Sequence, residues 1–395
     1  MFNTTPTADI IDGTATDKYF ERTINALNHA EKNPTVIADI TASQFTQDEY
    51  KILSGVNNAV KTLAEASDEI DVWALPEGCA FTGGPVMRIK GPYTEFAKFE
   101  TSILGFLSHA TGIATNAHTI VTSAKQESET TVLSFGGRAK HPSIAPYIER
   151  SALIGGVDGI SHVSAANELG VDATGTMPHA LVLAFQSPEK AWNAYNESAE
   201  ENASRTVIAD TFTDETDEAL RAAEALGDDL DGIRLDTTGS RRGDFEHIIR
   251  EVKYKLKNKG FKDIPIVISG GLTPNTVEQL APLVSGVGVG GYISDADSMD
   301  FSLDIVVNEG EDITKRGKLP GLKAPNIEQS KHAPEETAGT YTLTPTDNPS
   351  AGLFDKVVNN GVVLRDFSIN KARKTANKTT YQLQDEHKHV SITQL

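Results

Sequence analysis

The apolar and polar positions along the chain follow two different rhythms. Over roughly the first 115 residues, strand-like apolar runs such as Val36–Ile40 and Val86–Lys90 are mixed with helical patterns and punctuated by Pro and Gly. The stretch Thr94–Leu107 has apolar residues at helical spacing and predicts the start of a long helix. This mixture predicts an α+β domain over residues 16–125.

From about residue 131, short apolar runs alternate with polar helical segments such as Asp214–Leu226 and Asp244–Lys257. Repeated βα units with near-continuous apolar strands predict a parallel sheet, and about seven of them favour a closed or nearly closed barrel over residues 126–300. The predicted strands are Thr131–Phe135, Gly159–Val163, His179–Ala184, Thr206–Asp210, Gly232–Asp236, Ile264–Ser269 and Gly286–Ile293.

Beyond Glu309 the composition shifts to Lys, Thr, Asn, Pro and Glu, and residues 320–350 resemble a linker or loop before a strand-like ending. We assign residues 301–395 to a segment that returns to the N-terminal domain and carries a small β-containing tail. The predicted fold class is therefore α/β: an irregular (β/α) barrel with an N-terminal α+β sandwich domain and a small C-terminal segment.

Composition narrows the range of functions. The formal net charge of −19 argues against nucleic acid and anionic membranes as partners. No apolar run is long enough to span a bilayer, and the first residues lack the basic start and apolar core of a signal peptide, so we expect a cytoplasmic protein. The single cysteine, Cys79, excludes intrachain disulfides and thiolate metal clusters.

Candidate anion-binding residues lie between Phe135 and Ala180. Arg138, in a Gly-Gly-Arg turn after an apolar strand, offers a planar fork for a carboxylate or phosphate, with Lys140 and His141 beside it. The alternative interpretation is a solvated basic turn. Because the whole chain is acidic, a site for anionic substrates needs such a local basic cluster, and Arg150, Arg234, Arg241 and Arg242 are further contributors.

A histidine lies in the string Gly-Thr-Met-Pro-His-Ala, where Gly175, Thr176 and Pro178 precede His179. Its imidazole can titrate or attack a phosphorus centre. A buried imidazole bonded to the backbone explains the same residue about as well.

Two glycine pairs follow the last two predicted strands: Gly270 with Gly271, and Gly288 with Gly290. These are the loops at which (β/α) barrels bind phosphate, because glycine lets several backbone N–H groups approach one anion. Tight strand-to-helix turns are the alternative, but two pairs on consecutive strands favour a phosphate site.

Polar residues also end other predicted strands, as Ser161, Asp210 and Asp236 do. A carboxylate in such a place can orient a ribose hydroxyl, hold Mg²⁺ through water or stabilise developing positive charge. Helix N-capping is the alternative, and for Asp210 it is nearly as good.

Taken together, these motifs resemble nicotinate phosphoribosyltransferase of the archaeal type, within the type II phosphoribosyltransferase fold shared with quinolinate phosphoribosyltransferase. The string Asp236–Arg242 also faintly resembles the diphosphate-ribose loop of the type I enzymes, which we discount because the two acids that precede that loop are missing. The matching stretches are Thr16–Phe20, Leu75–Gly78, Phe99–Thr101, Ile113–Thr115, Phe135–Ala180, Ile233–Asp236, Ser269–Gly271 and Gly288–Gly290.

The resemblance implies transfer of the 5-phosphoribosyl group of phosphoribosyl diphosphate to nicotinate, coupled to ATP hydrolysis and assisted by Mg²⁺, in a homodimer or larger oligomer with shared sites. It implies that Arg138 receives the nicotinate carboxylate, that Tyr19, often from a neighbouring subunit, stacks on the pyridine, and that His179 is transiently phosphorylated. Asp236 is implied near the ribose, and the glycine loops at the 5-phosphate. On this basis the expected catalytic residues are His179, Asp236 and Arg138, and the expected substrate contacts are Tyr19, Arg138, Lys140, His141, Ser161, Thr176, Asp210, Arg234, Gly270, Gly271, Gly288 and Gly290.

The sequence departs from the family in two places. Ala139 follows Arg138 where two adjacent arginines are usual, and one cysteine cannot form the metal module of some relatives, so we expect no zinc. Quinolinate phosphoribosyltransferase and a non-catalytic nucleotide-binding relative remain as alternatives.

Overall fold

A computed structural model describes residues 3–43, 45, 50–200, 203–261, 263–328, 339–383 and 391–392. The chain forms two compact units. Unit 1 contains Met1–Thr115 and Ala296–Leu395, and unit 2 contains Asn116–Asp295.

The helices and strands are numbered in chain order. The helices are α1 (Thr7–Ile11), α2 (Lys18–His29), α3 (Val56–Ala66), α4 (Tyr93–Phe96), α5 (Glu100–Lys125), α6 (Ala145–Gly155), α7 (Val163–Leu169), α8 (His179–Phe185), α9 (Pro188–Ser198), α10 (Glu215–Leu226), α11 (Gly239–Arg242), α12 (Phe245–Asn258), α13 (Pro274–Leu280), α14 (Gly291–Ser294) and α15 (Ile369–Leu383). The strands are β1 (Thr35–Ala42), β2 (Lys51–Ile52), β3 (Asp71–Ala74), β4 (Ala80–Phe81), β5 (Gly84–Pro92), β6 (Thr131–Ser134), β7 (Gly159–Ile160), β8 (Thr206–Ile208), β9 (Gly232–Leu235), β10 (Ile266–Ser269), β11 (Gly286–Val289), β12 (Phe301–Asn308), β13 (Glu311–Asp312), β14 (Leu322–Glu328), β15 (Thr340–Thr346), β16 (Asp355–Asn359), β17 (Val362–Val363) and β18 (Ser391–Ile392).

Unit 1 is built on a seven-stranded antiparallel sheet in the order β13-β12-β1-β5-β3-β16-β17. Asp39 on β1 lies directly opposite Arg88 on β5, and the two buried side chains form a bidentate ion pair with N···O distances of 2.7 and 2.9 Å. Arg88 also donates to the carbonyl of Lys323 at 3.1 Å. A buried pair is tolerated only when its polar atoms are satisfied in this way.

Unit 2 is built on a six-stranded sheet in the order β7-β6-β11-β10-β9-β8, in which every neighbouring pair is parallel. All residues of β8 and β11 are buried, as expected for strands that helices cover on both faces. The α/β fold class predicted from the sequence is confirmed, and the sheet is an open half-barrel. The carboxyl ends of all six strands lie along one edge.

One predicted strand is wrong, and it explains why the sheet stays open. His179–Ala184 belongs to helix α8, with Pro178 as its N-cap residue, and Val182 alone in this helix is buried. The Leu and Ala residues of the run favour a helix, and an apolar run that stays largely exposed does not form a central strand. The chain before it makes a single bridge, from Ile160 to Ala173, so β7 and β8 remain the two ends of the sheet.

The linker interpretation of residues 320–350 is also wrong, because β14 and β15 pair there as antiparallel strands over seven residues each. The strand-like ending is confirmed in part, since β16, β17 and β18 follow residue 350, but the helix α15 between β17 and β18 was not predicted. Residues 329–338, part of the predicted linker, lie outside the described residues. No helix among the described residues is long and apolar enough to cross a membrane.

We predict that Gly288→Ala destabilises the protein. A Cβ at this position on β11 would lie 2.1 Å from the Phe135 ring, so the ring must move, at a cost of about 1–3 kcal/mol in the free energy of unfolding. Chemical denaturation followed by circular dichroism measures it. Gly239→Ala is the matched control, because among the described residues no atom beyond its chain neighbours and its own helix backbone lies within 4 Å of the added Cβ, and we expect a change below about 0.5 kcal/mol. Equal stability of the two variants contradicts the close approach of Phe135.

Candidate active site

A cleft of about 1130 Å³ opens at the carboxyl edge of the parallel sheet in unit 2. It receives residues from the ends of β6, β7, β9, β10 and β11. Its lining includes nine of the residues expected from the sequence: Arg138, Ser161, Thr176, Arg234, Asp236, Gly270, Gly271, Gly288 and Gly290.

Arg138 reaches the cleft from a short 3-10 turn, Gly136–Arg138, that follows β6. The turn is held by Glu149, a fully buried acid on α6, whose Oε1 accepts from the Gly137 N–H at 2.8 Å. A Cβ on Gly137 would lie 2.9 Å from that same oxygen, so this position has no room for a side chain. Burial raises the pKa of Glu149. Arg138 is therefore exposed on a turn whose backbone is held by Glu149.

The two glycine loops differ in what they do. Gly270 and Gly271 have φ of +88° and +62°, a left-handed geometry that glycine adopts without strain. Gly288 has no room for a side chain because the Phe135 ring lies against it. Both loops line the cleft, and because glycine has no side chain, their backbone N–H groups can approach a phosphate closely.

The two expected acids lie side by side. Asp236 Oδ1 accepts from the Ser269 hydroxyl at 2.6 Å, and Asp210 Oδ2 accepts from the Asp236 N–H at 2.5 Å and from the Thr237 hydroxyl at 2.9 Å. Burial raises the pKa of Asp210, although these hydrogen bonds act in the opposite direction. The other oxygen of Asp210, Oδ1, is buried without a hydrogen-bond partner in the part of the chain that the structure describes.

His179 lies next to these acids at the start of α8. Its Nε2 is 3.7 Å from Asp210 Oδ1 and 3.8 Å from Asp236 Oδ2, while its Nδ1 is 3.0 Å from the Thr211 hydroxyl. The imidazole is 35% exposed, so the interpretation as a sealed core histidine is excluded. Thr211 is itself fixed, because buried Glu218 accepts its N–H at 2.9 Å.

Arg234 on β9 completes this group. It donates to the Thr176 hydroxyl, and its Nη2 lies 3.6 Å from Asp236 Oδ2. Its Nε is buried and has no hydrogen-bond partner among the described residues. The structure thus joins Thr176, which precedes His179 in the sequence, to the acid at the end of β9.

Five expected residues are absent from the cleft lining: Asp210 and His179, which lie beside Asp236, and Lys140, His141 and Tyr19. Lys140 forms an ion pair with Asp295 at 2.9 Å, and His141 accepts the Ser143 N–H at 3.2 Å as the cap of a short 3-10 helix. Tyr19 belongs to α2 in unit 1, where its ring is 55% exposed and lies 4.2 Å from the ring of Phe20. Their roles in substrate binding stay predictions.

The structure also places Thr238, Gly239 and Arg242 in the cleft lining, of which Arg242 was expected only as a contributor to the basic cluster. They belong to the string Asp236–Arg242, whose likeness to a phosphoribosyl-binding loop was set aside. The signal was available in the sequence: a run of hydroxyl, glycine and arginine residues directly after an apolar strand.

The chemistry of the acids fits a hard divalent cation. Among the described residues no group of three or more His, Cys, Asp or Glu side chains is arranged for a metal ion. Mg²⁺ does not need one, because it commonly binds through one or two carboxylates together with substrate phosphates. The unpartnered Asp210 Oδ1 and the partly exposed Asp236 carboxylate suit that mode.

Comparison with known proteins identifies the fold and the family of the chain. The models for the N-terminal and C-terminal domains of quinolinate phosphoribosyl transferase match residues 17–111 and 113–304. A solved structure described as nicotinate-nucleotide pyrophosphorylase from Pyrococcus furiosus is 38% identical, with a TM-score of 0.89 over 98% of this chain and 99% of that one. Human nicotinic acid phosphoribosyltransferase, at 19% identity, shares the fold with a TM-score of 0.78 over 94% of this chain and 95% of that one.

Curated relatives carry a related name. A nicotinate phosphoribosyltransferase of Mycobacterium tuberculosis is 28% identical over 308 residues, which are 73% of this chain and 64% of the relative. One from Bacillus subtilis is 31% identical over 212 residues, 53% of this chain and 42% of the relative. The chain therefore matches less than two thirds of the length of these relatives. Both domain models and the full-length similarity to the Pyrococcus structure show that the chain belongs to the family of quinolinate and nicotinate phosphoribosyltransferases.

Proposed function

We propose that this protein is a nicotinate phosphoribosyltransferase, which transfers the 5-phosphoribosyl group of phosphoribosyl diphosphate to the ring nitrogen of nicotinate and releases diphosphate. The observation that carries the proposal is that one cleft holds an exposed guanidinium, Arg138, together with the Gly270–Gly271 turn and the acid Asp236. This reaction needs three groups: a guanidinium that binds the carboxylate, a glycine turn that binds the phosphate, and a carboxylate that stabilises the cationic sugar.

The carboxylates stabilise the charge that develops during transfer. Departure of diphosphate leaves an oxocarbenium-like ribose, and Asp236 places negative charge in the cleft wall, with the buried Asp210 directly behind it. Ser269 and Thr237 fix these acids by hydrogen bonds of 2.6 and 2.9 Å, so little reorganisation is needed. When bound, Mg²⁺ would supply neutralisation of the leaving diphosphate.

We further propose that ATP phosphorylates His179. The Nε2 atom attacks the terminal phosphorus, the P–N bond forms as the bond to the ADP oxygen breaks, and ADP leaves. The contact of Nδ1 with the Thr211 hydroxyl orients the ring so that Nε2 is directed toward Asp210 and Asp236. A phosphoryl group there would repel both acids, which gives ATP a way to alter the affinity of the cleft for substrates.

Quinolinate is the second candidate substrate, since the matching domain models bear its name. A dicarboxylate needs a second cation. Lys140 is paired with Asp295 outside the cleft lining, Ala139 follows Arg138, and Arg234 is engaged with Thr176 and Asp236. Arg242, the remaining arginine of the cleft lining, is bonded to Gly270 at the turn expected to hold the 5-phosphate, so Arg138 remains as the fork for one carboxylate and a monocarboxylate is favoured. The resemblance also leads us to propose a homodimer or larger oligomer, in which Tyr19 of a second copy stacks on the pyridine.

We predict that the purified protein with Mg²⁺ and phosphoribosyl diphosphate forms nicotinate mononucleotide from nicotinate, and forms it faster when ATP is present. Nicotinamide and quinolinate, offered under the same conditions, are the comparison substrates, and product is followed by liquid chromatography. Product from quinolinate alone would overturn the assignment.

Arg138→Gln is predicted to raise the KM for nicotinate by about 10- to 100-fold, because the carboxylate loses a charged hydrogen-bond partner. Arg241→Gln removes the same charge from an exposed side chain outside the cleft lining, and we expect a change of less than about threefold. Steady-state kinetics with nicotinate as the varied substrate measures both. Equal effects of the two variants would indicate a general loss of positive charge instead of a carboxylate fork.

His179→Ala is predicted to abolish incorporation of the terminal phosphate of labelled ATP and to leave a slow transfer that ATP no longer accelerates. His162→Ala is the matched control, since that imidazole caps α7 through the Ala165 N–H at 3.2 Å. Acid-labile phosphate on each variant is the measurement. Labelling that persists in His179→Ala removes this residue from the ATP step.

A further inference from the structure

Arg242 links two loops of the cleft through its guanidinium. Its Nε donates to the carbonyl of Thr237 at 2.9 Å, and its Nη2 donates to the carbonyls of Ser269 and Gly270 at 3.1 and 2.6 Å. The guanidinium also lies over the ring of Phe245, 4.4 Å from its centre. The segment after β9 and the segment after β10 are therefore connected by one side chain.

These contacts use three of the five N–H donors of the guanidinium. The two on Nη1 make no hydrogen bond to any described residue, and the side chain forms part of the cleft wall. The Arg242 guanidinium is half-buried, and three hydrogen bonds fix its plane. Its open Nη1 edge can therefore receive an anion.

The position of Arg242 indicates which anion. Its Nη2 is bonded to Gly270, the first residue of the left-handed Gly270–Gly271 turn, and a Cβ on Gly270 would lie 3.0 Å from that nitrogen. Side chains at Gly270 would displace the guanidinium. The open donors and the backbone of the turn thus belong to one wall, where a phosphate could meet both.

We propose that Arg242 binds the 5-phosphate of the phosphoribosyl group and makes the cleft selective for phosphorylated sugars. This inference rests on the proposed function, and it adds a residue and a discrimination to it. Bound phosphate accepts from Nη1, while the three carbonyl contacts keep the guanidinium from following the substrate as it reacts. Burial of Arg242, which lowers its pKa, is also offset by an anion in this place.

The neighbouring Arg241 provides a matched control. It lies on the same short helix, α11, carries the same charge and is exposed, and it does not line the cleft. Two substitutions of Arg242 separate charge from bracing: Arg242→Gln keeps an N–H donor for the loop carbonyls and loses the charge, and Arg242→Lys keeps the charge and loses the fork.

The experiment measures binding of ribose 5-phosphate and of ribose to the full-length protein by calorimetry, together with KM and kcat for phosphoribosyl diphosphate. Arg242→Gln is expected to weaken ribose 5-phosphate binding about 10- to 100-fold and to raise KM in proportion with little change in kcat. Arg242→Lys should recover part of the affinity, and Arg241→Gln should bind within about twofold of the native protein. Thermal denaturation establishes that each variant is folded.

The outcomes are distinct. If Arg242→Gln binds ribose 5-phosphate as well as Arg242→Lys does, or better, then Arg242 only holds the two loops together. That result overturns the inference even if the native protein turns over nicotinate. Equal losses in Arg242→Gln and Arg241→Gln overturn it as well, because a general charge effect would explain both. If the native protein turns over nicotinate but prefers ribose to ribose 5-phosphate, the inference fails alone; if it binds neither sugar and forms no product, the proposed function fails with it.

Discussion

Parallel pairing of six short strands is the constraint on which the candidate site depends. Because every neighbouring pair in the order β7-β6-β11-β10-β9-β8 is parallel, the residues that follow each strand meet along one edge. Arg138, Ser161, Asp236, Gly270 and Gly290 are far apart in sequence and line one cleft for this reason.

Buried acids fix the conformation of the loops that follow these strands. Glu149 holds the turn that carries Arg138, and Glu218 accepts the N–H groups of Thr211, Phe212 and Thr213 at 2.6–3.0 Å. Asp210 does the same for the N–H of Asp236. A buried carboxylate is costly unless hydrogen bonds satisfy it, so each of these acids requires its loop in one conformation. In a protein of net charge −19, part of the acidity thus shapes a site for anions.

The sequence was sufficient to predict the α/β class, all six strands of the parallel sheet at or near their observed starts, and nine of the residues that line the cleft. Short apolar runs bounded by Gly, Ser or Asp predict these strands, because a parallel strand that is buried on both faces is apolar along its length and ends in a loop. The stretch His179–Ala184 was predicted as a strand because an apolar run of this length suits a strand or a helix equally. Only the structure shows that Pro178 caps a helix here and that Leu183 is exposed.

Other features required the structure because they depend on contacts between distant residues. Gly288 is expected from the sequence to serve a phosphate site or a tight turn, whereas in the structure its lack of a side chain accommodates the Phe135 ring. The pairing of Lys140 with Asp295 places that lysine outside the cleft lining, and the bonds from Arg242 to Ser269 and Gly270 bring a discounted string into it. No spacing rule in the sequence reports such side-chain partners.

The most direct test is a crystal structure of the protein with phosphoribosyl diphosphate and Mg²⁺ bound. The account predicts the 5-phosphate at the Gly270–Gly271 turn, and the anomeric carbon on the side of Asp236 and His179, with Arg138 facing the vacant place of the base. Density for the sugar elsewhere in unit 2, or a 5-phosphate held away from both glycine loops, would contradict the convergence of these groups on one substrate.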